Sequence, residues 1–430
     1  MTRSKFRVLT GLAVLAIALT LSSGAWGQDT ETVLFNFQDG TTGEAPQGLI
    51  LDAAGNLWGV TQAGGTNGFG TVFELSPVSG GGWNETVVYS FVGGAGGEQP
   101  QSKLVFDAAG NLYGTAWGGS TGQGIVYKLT SSKSGWQQTI LHTFTGGSDG
   151  GVPQSGLAID AAGVLYGTTA GGGKSVCFNS APCGIVYKLA FVPGAGWKET
   201  VLHSFSGKDG AGPRATPILD AAGNLFGTTS YGGWVSQKGV CGMLGCGVVY
   251  ELSHVSGGWK ETVLHTFVDG PSDGATPAAG LASDETGNLY GATSGGGSWI
   301  ICGNGSGCGV VFELSPSSNG TWTESILHRF NGRDGAGLYA TPSLDASGNI
   351  YGTAGSGGNG FGTAYELSPS SSGWAFNTIF NFNGFAGGWA SAYSFVLDNT
   401  GNLYGASAAG GTSNNNDCVD SCGLVFKLTP

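Results

Sequence analysis

The sequence predicts an all-β fold: a seven-bladed β-propeller with four antiparallel strands per blade, its last blade closed by a strand from the N-terminal end. Three observations predict it. A unit of roughly 50–65 residues recurs seven times. Each copy holds four short runs rich in β-branched and aromatic residues, bounded by Gly, Asp, Asn or Pro. The two ends of the chain supply complementary pieces of one further unit.

The unit is clearest between Asp107 and Phe144. Its Asp recurs at Asp52, Asp107, Asp160, Asp220, Asp284, Asp345 and Asp398. The first run is apolar and ends at that Asp, as in Leu104-Val105-Phe106-Asp107. The second is Asn111-Leu112-Tyr113-Gly114-Thr115, the third Gly124 to Leu129, and the fourth Trp136 to Phe144. Between the first two runs the Asp side chain can accept from backbone N–H groups ahead of it, and a Gly permits a left-handed backbone. That Gly stands in every copy, from Gly55 to Gly401, and Asn follows it everywhere except at Val164. A turn needed by every copy explains these Asp better than ion binding does.

Aromatic residues repeat at three more positions. The second run carries Trp58, Tyr113, Tyr166, Phe226, Tyr290, Tyr351 and Tyr404, each followed by Gly. The third carries Phe73, Tyr127, Tyr187, Tyr250, Phe312, Tyr365 and Phe426. The fourth ends at Phe37, Phe91, Phe144, Phe205, Phe267, Phe330 and Phe382. Sheets stacked radially and buried on both faces need large side chains facing small ones, so these rings read as core. Glu31 to Phe37 matches a fourth run, and Gly423 to Leu428 matches a third. Pairing them closes the ring and removes an exposed edge.

Residues 1–27 read as a signal peptide. Arg3, Lys5 and Arg7 precede the apolar run Val8 to Leu21, and Ala25-Trp26-Gly27 supplies small residues for cleavage near Gln28. Residues 28–430 then form a single propeller domain. Removing three basic residues from 16 leaves 13 against 28 acidic ones, a net charge of −15. Such a surface argues against nucleic acid and anionic membrane as partners. No later run is apolar enough to span a bilayer.

The eight cysteines fall into local pairs, Cys177/Cys183, Cys241/Cys246, Cys302/Cys308 and Cys418/Cys422, all between the second and third runs. In an exported chain this pattern reads as four disulfides. Zinc is disfavoured because the spacings vary and no His stands nearby. In the shorter loops Phe69 and Phe361 replace the second Cys.

The repeat resembles the GloVer-type tandem repeats of bacterial choice-of-anchor exported proteins. The matching stretches are Asp-Ala-Ala-Gly-Asn-Leu-Tyr-Gly-Thr, Gly-Val-Val-Tyr-Glu-Leu and Glu-Thr-Val-Leu-His-Ser-Phe, and the likeness covers essentially all of the mature chain. It implies an extracytoplasmic bacterial protein and carries over no catalytic residue. Some relatives bear a C-terminal anchor. This chain shows none, which favours a soluble product, periplasmic or extracellular.

Few residues suggest chemistry. His142, His203, His265 and His328 share one repeat position that elsewhere holds Phe35, Tyr89 or Phe380, so they read as packing residues; His254 stands alone. Ser and Cys nucleophile motifs and phosphate-binding loops are missing. Loops from the fourth run to the next first run, and from the second to the third, should emerge on one face. The first set repeats Asp149-Gly150, Asp209-Gly210, Asp273-Gly274 and Asp334-Gly335, which read as turns with Ca²⁺ or sugar contact as the alternative. The second adds Trp117, Tyr231, Trp234 and Trp299, joined by Tyr339 and Trp389 from the first. Lys103 and Arg214 break the repeat near the start of inner strands, where they could line the channel mouth. The expectation is a secreted monomer, without an obligatory cofactor, that binds a glycan or protein on this face. A polysaccharide lyase or hydrolase on the same scaffold, and a purely structural envelope component, are the alternatives.

Overall fold

In a computed structural model the described residues are 31–38, 40–177, 181–233, 241–268, 270–298, 302, 307–384, 388, 394–411 and 422–429. They form seven antiparallel blade sheets around a central channel, plus a two-stranded ladder of Gly274–Ala275 with Gly295–Gly296, with no α-helix among them. Blade one is Glu44–Leu51, Leu57–Ala63, Thr71–Pro77 and Trp83–Ser90, from the axis outward. Blade two runs Val105–Phe106, Leu112–Trp117, Ile125–Ser132 and Gly135–Thr143. Blades three to six repeat this order up to Gly373–Asn381. Blade seven joins Val396–Leu397, Leu403–Ser407 and Leu424–Leu428 to Glu31–Asn36, its outer strand. The expected closure is therefore present, with Val33 opposite Phe426. The inner strands of blades two to seven are shorter than the apolar runs suggested, two residues each.

The turn between the first two strands works as the Asp–Gly spacing predicts. Asp107 Oδ1 accepts from the backbone of Ala109 and Asn111, each at 2.9 Å. Its Oδ2 accepts from Asn111 Nδ2 at 2.7 Å and the Tyr113 hydroxyl at 2.9 Å. The second-strand aromatic therefore has a polar duty besides packing. In blade one the Trp58 indole N–H takes that place, 3.0 Å from Asp52.

Register explains the Gly that follows this aromatic. Gly114 lies opposite Tyr127, and a Cβ on it would stand 2.5 Å from the Tyr127 hydroxyl. The ring thus lies flat over its neighbour strand and projects into the space between blades. There it meets, edge to face, the Phe ending the fourth strand of the preceding blade: Phe91–Tyr127, Phe144–Tyr187, Phe205–Tyr250 and Phe267–Phe312, all at 5.2 Å. Phe330–Tyr365, Phe382–Phe426 and Phe37–Phe73 complete the circle at 5.1, 5.4 and 5.0 Å. Buried clusters accordingly straddle neighbouring blades, and one joins Phe37 and Val425 of blade seven to Leu57 and Phe73 of blade one.

In every fourth strand the ladder slips by one residue, as between Ile140 and His142. Such a bulge reverses the faces of the residues beyond it. Gln138 and Ile140 lie opposite Leu129 and Tyr127, whereas His142 lies opposite Val126, which points to the other face.

Two outcomes follow. Deleting residues 31–38 should lower the melting temperature and cause aggregation on light scattering, because Leu424–Leu428 becomes an open edge and Phe37 is lost from the core. A truncated chain that melts like the whole one would refute the closure. Gly114→Ala should cost about 1–3 kcal/mol in denaturant unfolding by overpacking against Tyr127. Tyr127→Phe should be neutral or stabilising, since that buried hydroxyl has no partner and Phe73, Phe312 and Phe426 stand at the same position.

Candidate functional site

The two loop sets do meet on one face. Short bridges join the segment entering each inner strand to the end of the second strand: Gly151 with Gly171, Ala211 with Tyr231, Ala336 with Ser356. Glu98 pairs with Trp117 in the same way. Trp117 is therefore a half-buried strand residue, its indole N–H buried without a partner. Tyr231 is half-buried, and the Arg214 guanidinium lies over its ring at 5.7 Å. Trp234, Trp299 and Trp389 lie outside the described residues.

Disulfides staple three of the loops: Cys177–Cys183, Cys241–Cys246 and Cys302–Cys308. Cys422 is disulfide-bonded too, and Cys418 lies outside the described residues. Cys177 covers the glycine that follows the outer strand of its blade: a Cβ on Gly207 would stand 3.1 Å from Cys177 Sγ. In the loops without cysteines Phe69 covers Gly93 and Phe361 covers Gly384 in the same manner. The staple and the ring are two solutions to holding the same pair of loops together.

The four Asp of the Asp–Gly loops face inward to their own turns. Backbone N–H groups of Thr145, Ser206, Val268 and Asn331 donate to Asp149, Asp209, Asp273 and Asp334 at 2.8–2.9 Å. Each Asp also meets the His at the end of its own outer strand. Nε2–carboxylate distances are 3.6 Å for His142–Asp149, 3.0 Å for His203–Asp209, 3.4 Å for His265–Asp273 and 3.1 Å for His328–Asp334. The histidines sit in separate seams, so they do not converge on one centre.

A further partner comes from the next blade and escaped the sequence reading. Four residues before each His position the outer strands carry Glu31, Glu85, Gln138, Glu199, Glu261, Glu324 and Phe376. The bulge turns this residue toward the preceding blade. His265 Nε2 thus lies 3.6 Å from Glu324 Oε1, the Tyr89 hydroxyl donates to Gln138 Oε1 at 3.0 Å, and His328 stacks on Phe376 with ring centres 3.8 Å apart. Burial by itself lowers His265, but Asp273 and Glu324 facing its ring carry it above the usual histidine value. Burial raises Glu199 and Glu261 to about 7.

At the axis the inner strands enclose a cavity of about 710 Å³. Lys103 and Arg214 both line it, as their breaks in the repeat suggested, and among the described residues no carboxylate lines it. Around them stand the polar groups of Ser102, Gln154, Thr216 and Thr341, and Tyr339, which is 52% exposed. The wall is tight at Lys103: side chains on Gly48 or Gly156 would meet its backbone at 2.7 Å. The residue is exposed along the channel, yet desolvation by the wall lowers its pKa. A partly desolvated cation without an ion-pair partner is poised to accept an anionic group.

Fold and face together define a tandem-repeat seven-bladed propeller whose copy-to-copy differences gather at one end of the channel. The Gloeobacter/Verrucomicrobia repeat matches residues 23–181 and 117–320, more than half of the sequence, and the chain belongs to that family. No curated protein matches it. Among solved structures it is similar to the extracellular domain of a one-component system from B. thetaiotaomicron, with 12% identity and a TM-score of 0.55. That match covers 93% of this chain but only 40% of the other, so the chain spans about two fifths of its length. It is also similar to a fungal alcohol oxidase of the AA5 family, determined in complex with copper, with 13% identity, a TM-score of 0.54, and 95% and 76% of the two chains covered. At such identities the likeness is one of fold.

Stability should depend on pH through two opposed sets of carboxyl groups. Burial pushes Glu31 and Glu85 up to about 7. A raised carboxyl stabilises fully below its unfolded value near 4.5, and that contribution is lost as pH rises through about 7. For Asp398 burial works upward, but hydrogen bonds from Asn402 and Thr400 prevail and bring it to about 2. Its contribution is lost as pH falls from about 4 through about 2. Melting temperature should therefore peak near pH ~4.5 and decline toward pH ~8, and Glu31→Gln with Glu85→Gln should flatten the decline. Calorimetry showing a steady rise from pH ~5 to ~8 would contradict this assignment.

Proposed function

We propose that this protein is an exported binding module whose channel mouth and surrounding loops hold an acidic glycan. One observation carries the reading. A chain with 16 basic and 28 acidic residues lines its axial cavity with Lys103 and Arg214 and, among the described residues, with no carboxylate. A sugar carboxylate would pair with these cations, its hydroxyls with Ser102, Gln154 and Thr216, and an apolar ring face with Tyr339. Export accords with the charged and apolar start of the sequence and with disulfides, which persist in oxidising compartments. None of the described helical segments is long and apolar enough to cross a membrane.

Titration calorimetry with oligogalacturonate and with a neutral glucan of equal length tests this. Binding should favour the acidic oligosaccharide and weaken with salt. Lys103→Ala with Arg214→Ala should reduce it at least about tenfold while the melting temperature moves by a few degrees or less. Equal binding of both sugars, or undiminished binding by the folded double variant, would exclude the channel mouth as the site.

A further inference from the structure

The seams between blades hold an arrangement that the glycan reading does not use. Between blades three and four, His203, Asp209 and Glu261 bring one ligand atom each to within 4.8 Å of one another; between blades four and five, His265, Asp273 and Glu324 do the same. His and Asp come from one blade and Glu from the next. We propose that each of these two seams binds one divalent transition-metal ion, for which Zn²⁺ has the best-matched chemistry, as a clamp across neighbouring blades.

Geometry supports this first. A tetrahedral zinc with bonds of about 2.0–2.1 Å sets its ligand atoms about 3.3–3.4 Å apart. His265 Nε2 stands 3.4 Å from Asp273 Oδ1 and 3.6 Å from Glu324 Oε1. These separations match those of ligands around a common ion; in the other seam His203 Nε2 stands 3.0 Å from Asp209 Oδ2, an ordinary hydrogen-bond distance that would open slightly around one. Among the described residues Glu261 Oε1 is buried without a hydrogen-bond partner, and Glu324 Oε1 is buried with His265 Nε2 only at 3.6 Å, so an ion between the ligands would satisfy both oxygens.

The supports around the ligands fit as well. Val268 N–H holds Asp273 Oδ2 and Gly274 N–H holds its Oδ1, which also faces His265; Ser206 N–H and its hydroxyl hold Asp209 Oδ1, leaving Oδ2 toward His203. Such outer contacts fix a ligand's direction before the metal arrives. One imidazole with two carboxylates favours zinc-like ions over Ca²⁺, which takes six to eight oxygens. Three protein ligands leave a fourth position for water.

The other seams serve as internal controls. Between blades five and six, His328 and Asp334 remain, but Phe376 stacks on the imidazole where the Glu would stand. Between blades one and two, Tyr89 and Gln138 satisfy each other. Between blades two and three, His142, Asp149 and Glu199 recur in a looser form, with 3.6 Å between His142 and Asp149.

Equilibrium dialysis of the chelator-treated full chain against Zn²⁺, read by elemental mass spectrometry, should find two tightly held ions per chain. Zn²⁺ should raise the melting temperature, and equal Ca²⁺ or Mg²⁺ should not. Glu261→Gln with Glu324→Gln should lower zinc affinity at least about tenfold and abolish the thermal shift, whereas Glu85→Gln should keep both ions. Co²⁺ added to the unaltered chain should give the visible absorption of a four-coordinate site, a readout that needs no variant to fold. Zinc retention below one ion per chain, or retention that the folded double variant leaves unchanged, would overturn the proposal.

Discussion

Each sheet of this molecule is apolar on both faces, so no blade can bury itself. Ile125, Val126 and Tyr127 follow one another along a strand and all are fully buried, the faces being covered by blades one and three. The contact that accomplishes this is the edge-to-face pair between the Phe ending one outer strand and the ring in the third strand of the next blade. It needs a flat ring, and the flat ring needs a glycine opposite it. Local sequence and the ring as a whole thus depend on the same glycine–aromatic register. Because the pair recurs at every seam, including Phe37 on Phe73, the N-terminal strand belongs to the core.

The bulge in each outer strand is a smaller device with a distinct effect. Alternation along a regular strand puts residues four apart on one face. The inserted residue sends the Glu position toward the preceding blade and the His position toward the following one. One pattern, Glu-Thr-Val-Leu-His, thereby yields a contact between different copies of itself. Where the copies differ, the seam becomes a His–Asp–Glu group, a Tyr–Gln hydrogen bond or a His–Phe stack. The scaffold is constant, and the chemistry of each seam is set by two side chains.

The same division holds at the axis. In blades two to seven the inner strands are two residues long, so one or two residues per blade decide what the channel offers there. Lys103 and Arg214 lie just before the inner strands of blades two and four and interrupt an otherwise apolar and hydroxyl-bearing wall. The Asp of the Asp–Gly loops, by contrast, are engaged by their own turns and by the histidines.

By itself the sequence determined the repeat, the blade count, the strand that closes the ring, the Asp–Gly turn and three of the local cysteine pairs. All of these rest on interactions between residues near in sequence or on a pattern that recurs, and a period exposes both. It also marked Lys103 and Arg214 as departures from that pattern. Only the tertiary structure decided what the departures meet. That His265 faces Glu324, that Arg214 lies over Tyr231, and that two cations share a cavity free of carboxylates depend on a one-residue slip in a ladder and on the angle between sheets. Neither leaves a mark in composition or spacing, because each is set by how the blades pack against one another.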